Sequence, residues 1–226
     1  MRELESYADA RLEQGCRYCG GESNTVDHVP AKAFLDKPFP YLPTVPACLS
    51  CNQEASKDEE YVACLVEVAI VGSTTSDQIR PRVRAMLDHA VALSKRINES
   101  RIENADGIFW NPEANRVTNV VVKLARGHAS YEASAPWLGE PSSVQISPFG
   151  VLDNDERDEF ERCEGGPLWP EVGSRAMIRA VESESGLFGQ WVVVQPGRYR
   201  YRLTTSDGLA ISMVIGEYLA ATVVWR

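Results

Sequence analysis

The chain has 226 residues, of which 44% are hydrophobic, and a formal net charge of −9. Its pI is near 5.0. This length and apolar content suffice for one core or two small ones. No run of 18 or more apolar residues occurs, so no membrane span is expected. The acidic balance excludes a protein that coats DNA through its overall charge, since such proteins are basic where they meet phosphates. Met1-Arg2-Glu3-Leu4-Glu5 lacks the apolar core of a secretory signal, which predicts residence in a reducing cytoplasm.

The first segment carries the most chemistry. Cys16-Arg17-Tyr18-Cys19 and Cys48-Leu49-Ser50-Cys51 are two C-x2-C pairs about 30 residues apart. Thiolates at this spacing wrap one zinc ion in a tight turn, and two pairs complete a four-thiolate tetrahedron. Two disulfides are the alternative, disfavoured in a reducing compartment. The ion would staple a hairpin too poor in apolar residues to hold itself. Cys64 reads as a buried thiol and Cys163 as incidental.

Between the pairs, Thr25-Val26-Asp27-His28-Val29-Pro30 reads as a short strand broken by Pro30. Adjacent strand residues point to opposite faces, so Asp27 and His28 share a site only where the strand ends or bends. There a carboxylate suits a hard divalent ion, and an imidazole with a pKa of about 6.5 suits proton abstraction from water. The second cysteine pair opens a helix with Asn52 in its first turn, which would fix its amide oxygen against Asp27 as a second ligand.

This constellation resembles the HNH superfamily of endonucleases (the ββα-metal fold), and its Cys-Asn ending is similar to the recombination endonuclease VII type. The resemblance covers residues 14 to about 62. It implies structural zinc on Cys16, Cys19, Cys48 and Cys51, Mg2+ or Mn2+ on Asp27 and Asn52, and His28 as general base. The chain departs from the pattern in two places: Asn52 stands for the last His, and no Asn lies between His28 and Cys48, Thr44 being the nearest polar residue. Stretches from Cys51 to Tyr61 and from Lys123 to Gly127 also look like stand-alone bacterial HNH proteins.

Ser56 and Glu59 form a capping-box pattern that would start a helix, with Asp58-Glu59-Glu60 favourable at its N-terminus. The alternative makes Glu60 a metal ligand or a partner of one. Helical spacing continues to about Val71, and Gly72 to Thr75 end it. Asp77 to Asn98 reads as one helix with Lys95-Arg96 in its last turn and a solvated His89. Gly107 to Trp110 reads as a strand and Asn111 to Asn115 as a turn. Arg116 to Gly127 fits a strand or a short helix, with Val117, Val120, Val121 and Leu124 favouring the helix. His128, after a helix-ending Gly127, reads as a cap or surface group, with a visit to the active site as the alternative.

Ser142 to Trp169, rich in Pro, Gly and acid, reads as surface loops. Five strand-like runs follow: Met177–Val181, Gln190–Val194, Tyr199–Leu203, Ala210–Ile215 and Ala220–Trp225. Turns at Ser185-Gly186, Pro196-Gly197 and Ser206-Asp207-Gly208 separate them. Arg198, Arg200 and Arg202 share one strand face opposite tyrosines. They read either as charge shielding an exposed sheet edge or as a ribbon that contacts phosphate.

An α+β fold is therefore expected: a zinc-stapled ββα-metal motif over 1–72, a helical middle over 73–135, and a small antiparallel sheet within 136–226. The resemblance implies a metal-dependent endonuclease acting on nucleic acid, with DNA the first expectation. A protein partner or a homodimer fits the weak DNA affinity that net charge suggests. Two other readings stand beside it. One is a zinc-dependent module that binds nucleic acid or protein without cutting, and the other is a nuclease subunit of a defence system with an ATPase partner.

Overall fold

The computed structural model describes residues 3–9, 11, 14–39, 41–105, 107–162, 171–182, 190–205 and 208–226. Cys163 and the turns expected at Ser185-Gly186 and Ser206-Asp207 lie outside the described residues. The fold mixes helix and antiparallel sheet, as the sequence predicts. Among the described residues, no helix is long and apolar enough to cross a membrane.

Strands β1 (Thr25–His28) and β2 (Thr44–Ala47) form an antiparallel hairpin in which His28 lies opposite Thr44 and Asp27 opposite Val45. The chain then enters α1 (Leu49–Val71), capped by Cys48 and ended by Gly72 in the left-handed conformation, φ +83°. Helix α1 is continuous, so the capping box expected at Ser56 does not form. The backbone donors it would satisfy are already bonded within the helix.

The single helix expected over 77–98 is two: α2 (Pro81–His89) and α3 (Val91–Glu99). Pro81 suits the first turn of α2, and the chain bends at Ala90, whose ψ of 69° is not helical. His89 is exposed, as expected. A second hairpin pairs β3 (Arg101–Asn104) with β4 (Gly107–Trp110).

Helix α4 (Ala114–Ala133) runs past Gly127, so His128 is neither a cap nor a surface group. The segment read as surface loops contains β5 (Ser143–Pro148) and α5 (Asn154–Glu161). Asp153 and Glu156 form the capping box that starts α5. Met177–Val181 falls in α6 (Arg175–Glu182), where Ala176 and Ala180, four residues apart, are the buried pair.

Strands β6 (Val192–Gln195), β7 (Tyr199–Thr204), β8 (Leu209–Ile215) and β9 (Leu219–Trp225) form a meander, and β5 pairs with β9 to give the order β5-β9-β8-β7-β6. Strand β7 is therefore interior, not the exposed edge its arginines suggested. One buried apolar cluster runs from Ala31 and Phe34 through α1 and α4 to Trp225. Helix α4 lies at its centre, with the β1–β2 hairpin on one side and the sheet on the other.

Candidate metal centre and the Asp27–His28 strand end

The four sulfurs of Cys16, Cys19, Cys48 and Cys51 lie within 4.8 Å of one another. A tetrahedral zinc with Zn–S bonds of about 2.3 Å requires sulfur separations of about 3.8 Å, and Cys19 and Cys48 are 3.8 Å apart. The cluster fits zinc in ligand number, type and spacing. Local geometry explains how it forms. The first knuckle closes through Gly20 N–H to the Cys16 carbonyl at 2.9 Å and Cys16 N–H to the Gly21 carbonyl at 2.7 Å. Gly20 supplies the left-handed turn, φ +76°.

The second knuckle is the start of α1, where the Cys51 N–H donates to Cys48 Sγ at 3.4 Å. Arg17 N–H donates to the Pro46 carbonyl at 3.0 Å and binds the first knuckle to β2. Burial opposes ionisation of Cys16, but backbone hydrogen bonds from Cys48, Tyr18 and Cys19 outweigh it and bring its pKa down to about 7. Burial and the neighbouring thiols push Cys51 the other way. Without a cation, four converging thiols cannot all ionise. A bound zinc removes that conflict.

Asp27 and His28 stand where β1 ends. Asp27 is buried, and its Oδ1 accepts the backbone N–H of His28 at 2.9 Å. His28 is half-buried, and its Nδ1 is shut from solvent without a protein partner. Burial lowers the His28 pKa, the exposed Lys32 lowers it further, and Asp27 opposes both. The imidazole is therefore neutral at pH 7. Asn52 sits in the first turn of α1 as expected, but its Nδ2 donates to the Val26 carbonyl at 3.2 Å. Its contact with the hairpin is thus to the backbone one residue before Asp27.

The other partners of Asp27 come from outside the hairpin. Tyr18, between the first two cysteines, donates its hydroxyl to Asp27 Oδ2 at 2.8 Å. Lys123 of α4 places its Nζ 2.6 Å from the same oxygen and 2.5 Å from Glu59 Oε1. The ammonium also lies 5.3 Å from the Tyr18 ring centroid. Burial raises the Glu59 pKa, and the negative charges of Asp27 and Glu60 add to this against the pull of Lys123. Burial works to lower Lys123, but Glu59 and Asp27 outweigh it and raise its pKa. Burial leads the Glu59 shift, whereas the two carboxylates that share the ammonium lead Lys123 upward against burial.

This set does not fit a divalent ion on Asp27 and Asn52. Both carboxylate oxygens of Asp27 already accept hydrogen bonds, and one carries the ammonium. The Asp27, Glu59 and Lys123 side chains that form this group are buried, 8%, 10% and 9% exposed. A divalent ion there would stand against the Lys123 ammonium, and like charges repel strongly where water is largely excluded.

The sequence reads Glu59 as a capping-box residue and Lys123 as part of a stretch that carries the resemblance, assigns neither to the site, and singles out neither Tyr18 nor Lys32. Lys123 had a legible signal: it falls among Val120, Val121 and Leu124 on the apolar side of a helix, where an unpaired lysine is rare. Glu60 is exposed. Thr44 is exposed opposite His28 on the paired strand. His128 is fully buried against the sheet, stacked on Tyr201 at 3.7 Å between centroids and 2.8 Å from the Tyr199 hydroxyl.

The three arginines have partners within the chain. Arg198 pairs with Asp36 at 2.8 Å. Arg200 meets Glu161 at 2.6 Å and Glu217 at 3.1 Å, and Arg202 lies 5.1 Å from the Trp191 ring centroid. Comparison of the chain with protein-family models, curated proteins and solved structures finds no match.

Proposed function

We propose that the chain is an HNH-type endonuclease that hydrolyses nucleic-acid phosphodiester bonds, DNA first among substrates, with β1, β2 and α1 as a zinc-stapled ββα-metal unit. The observation that carries this reading is a four-sulfur cluster that brackets a hairpin ending in a half-buried, neutral His28. A neutral imidazole beside a strand end is a competent general base. Its proton acceptance from an attacking water is worth about 10²–10⁴ in rate where the geometry is right.

Burial and Lys32 keep His28 in its basic form, and the exposed Lys32 is a cation within the electrostatic reach of that ring. It is the natural partner for a phosphate oxygen. Asp27 fixes the strand end by accepting the His28 N–H. Mg2+ or Mn2+ on Asp27 and Asn52 belongs to the resemblance. The side chains around Asp27 do not fit such an ion, since both carboxylate oxygens are engaged and one carries the ammonium.

A second reading is a zinc-dependent module that binds nucleic acid or protein without cutting. The enclosure of Asp27 by Tyr18 and Lys123 favours it. The two separate when zinc-loaded protein is offered supercoiled plasmid, single-stranded DNA and RNA, with and without Mg2+ or Mn2+. Cleavage products support the nuclease. Retention on a gel with every substrate intact supports the module.

A further inference from the structure

We propose that Lys123 is the resident cation of Asp27, holding the position from which a divalent ion would otherwise ligate that carboxylate. The inference concerns the same strand end as the proposed nuclease and rests on that reading only for its functional meaning. In the folded chain, Asp27 is a lysine-paired carboxylate and not a metal ligand.

The geometry is that of a filled cation position. Asp27 Oδ2 and Glu59 Oε1 both converge on one Nζ, at 2.6 and 2.5 Å, and the Tyr18 ring stands behind it at 5.3 Å. Each partner comes from a different part of the fold. Asp27 is on β1, Glu59 is in the middle of α1, Tyr18 is in the first cysteine knuckle, and Lys123 is on α4. No single element can release the ammonium without disturbing the other three.

Helix α4 is also held tightly against the hairpin. A Cβ on Gly127, one turn beyond Lys123, would stand 2.8 Å from Val29 Cγ2. Glycine at this position allows the close approach that brings Lys123 to Asp27. The ammonium is covalently tethered, so its encounter with Asp27 is intramolecular and does not depend on any free-ion concentration. An exchangeable divalent ion must displace it from Oδ2, which also accepts the Tyr18 hydroxyl, or share Oδ1, which already accepts the His28 N–H.

Functionally, Lys123 sets which cation the Asp27 site accepts. Hydrolysis at His28 proceeds with the ammonium, and no divalent ion, beside Asp27.

The test is Mn2+ binding by zinc-loaded protein, read by electron paramagnetic resonance in the absence of nucleic acid. Wild type, Lys123→Met, Lys123→Arg and Lys123→Met/Asp27→Asn are compared. Lys123→Met keeps the buried stem and removes the charge. It is expected to bind Mn2+ about tenfold or more tightly than wild type, with the gain abolished by Asp27→Asn and absent in Lys123→Arg. Mn2+ affinity in Lys123→Met no greater than in wild type overturns the proposal.

A measurement on unsubstituted protein guards against a variant that fails to fold. The Lys123 ammonium of 15N-lysine-labelled wild type is expected to stay sharp as Mn2+ is added. Saturable broadening of that resonance overturns the proposal. Both readouts are independent of cleavage, so a failed nuclease assay and a failed cation assay are told apart.

Discussion

The hairpin at one end of the chain and the sheet at the other are held by different physics. Strands β7, β8 and β9 bury Tyr199, Tyr201, Ile211, Met213, Val223 and Trp225, and their alternating pattern suffices to fix register. At the β1–β2 strand end, Val29 and Val45 form a small cluster with Tyr131, separate from the main core. Four cysteines and a buried ion pair to α4 supply what those few apolar contacts do not. A region that must present polar groups at a strand end cannot also fill itself with apolar ones. A cysteine cluster able to hold a metal, together with buried charge, takes the place of core there.

Zinc removal is the sharpest way to break this comparison. Structural zinc is worth on the order of 10 kcal/mol or more in small metal-stabilised units. Chelation, or Cys48→Ala, is expected to release the amide protection of residues 25–29 and 44–47 in hydrogen exchange. Residues 199–225 should keep theirs. Equal loss in both regions would show that the two are one cooperative unit.

The next largest effect is at the seam between them. Gly127→Val places a branched side chain where a Cβ already meets Val29 Cγ2 at 2.8 Å and Tyr18 Oη at 3.3 Å. Val29 is buried and stiff at χ1, so it cannot give way cheaply. Overpacking of this kind costs about 1–3 kcal/mol. Urea unfolding measures it, and the midpoint is expected to fall.

Acid acts on the sheet side of α4. Complete burial pushes His128 down to about 3, against about 6.5 in the unfolded chain. Below the unfolded value, the unfolded state binds a proton that the folded state does not, so stability falls with pH from about 6.5 towards 3. The His128 contribution at pH 5 is a loss of about 2 kcal/mol relative to neutral pH. His128→Gln is expected to flatten that slope in urea titrations between pH 7 and 5, which separates it from acid release of zinc. An unchanged slope would remove His128 from the account.

The smallest effect concerns Ser56. It lies exposed inside α1 and caps nothing. Ser56→Ala should therefore raise stability by a few tenths of a kcal/mol through helix propensity, where loss of a true N-cap would cost about 1 kcal/mol. The sign of the midpoint shift decides.

What was legible in the sequence follows the same division. Cysteine spacing and the strand end at Asp27-His28 can be read because metal ligation and strand breaking leave local marks. Strands β7 to β9 can be read because alternation is local too. Ser56–Glu59 was misread because a capping pattern inside a helix already begun at Cys48 has no free donors to satisfy. Gly127 looked like a helix end, yet its role is close approach to Val29, a contact about 100 residues away in sequence. Met177–Val181 is a short apolar run that suits strand or helix, and burial of Ala176 and Ala180 decides for helix. Lys123 is legible as a lysine that needs a buried partner, but its pairing with Asp27 and Glu59 is not, because tertiary pairing leaves no spacing in the chain.

The central claim is that His28 at the zinc-stapled strand end takes the proton in phosphodiester hydrolysis. Its most direct test compares cleavage by wild type and His28→Ala, prepared identically and carrying equal zinc. A rate lower by about 100-fold or more, with zinc content and hairpin protection unchanged, is the predicted result. Cleavage by His28→Ala at the wild-type rate would contradict it.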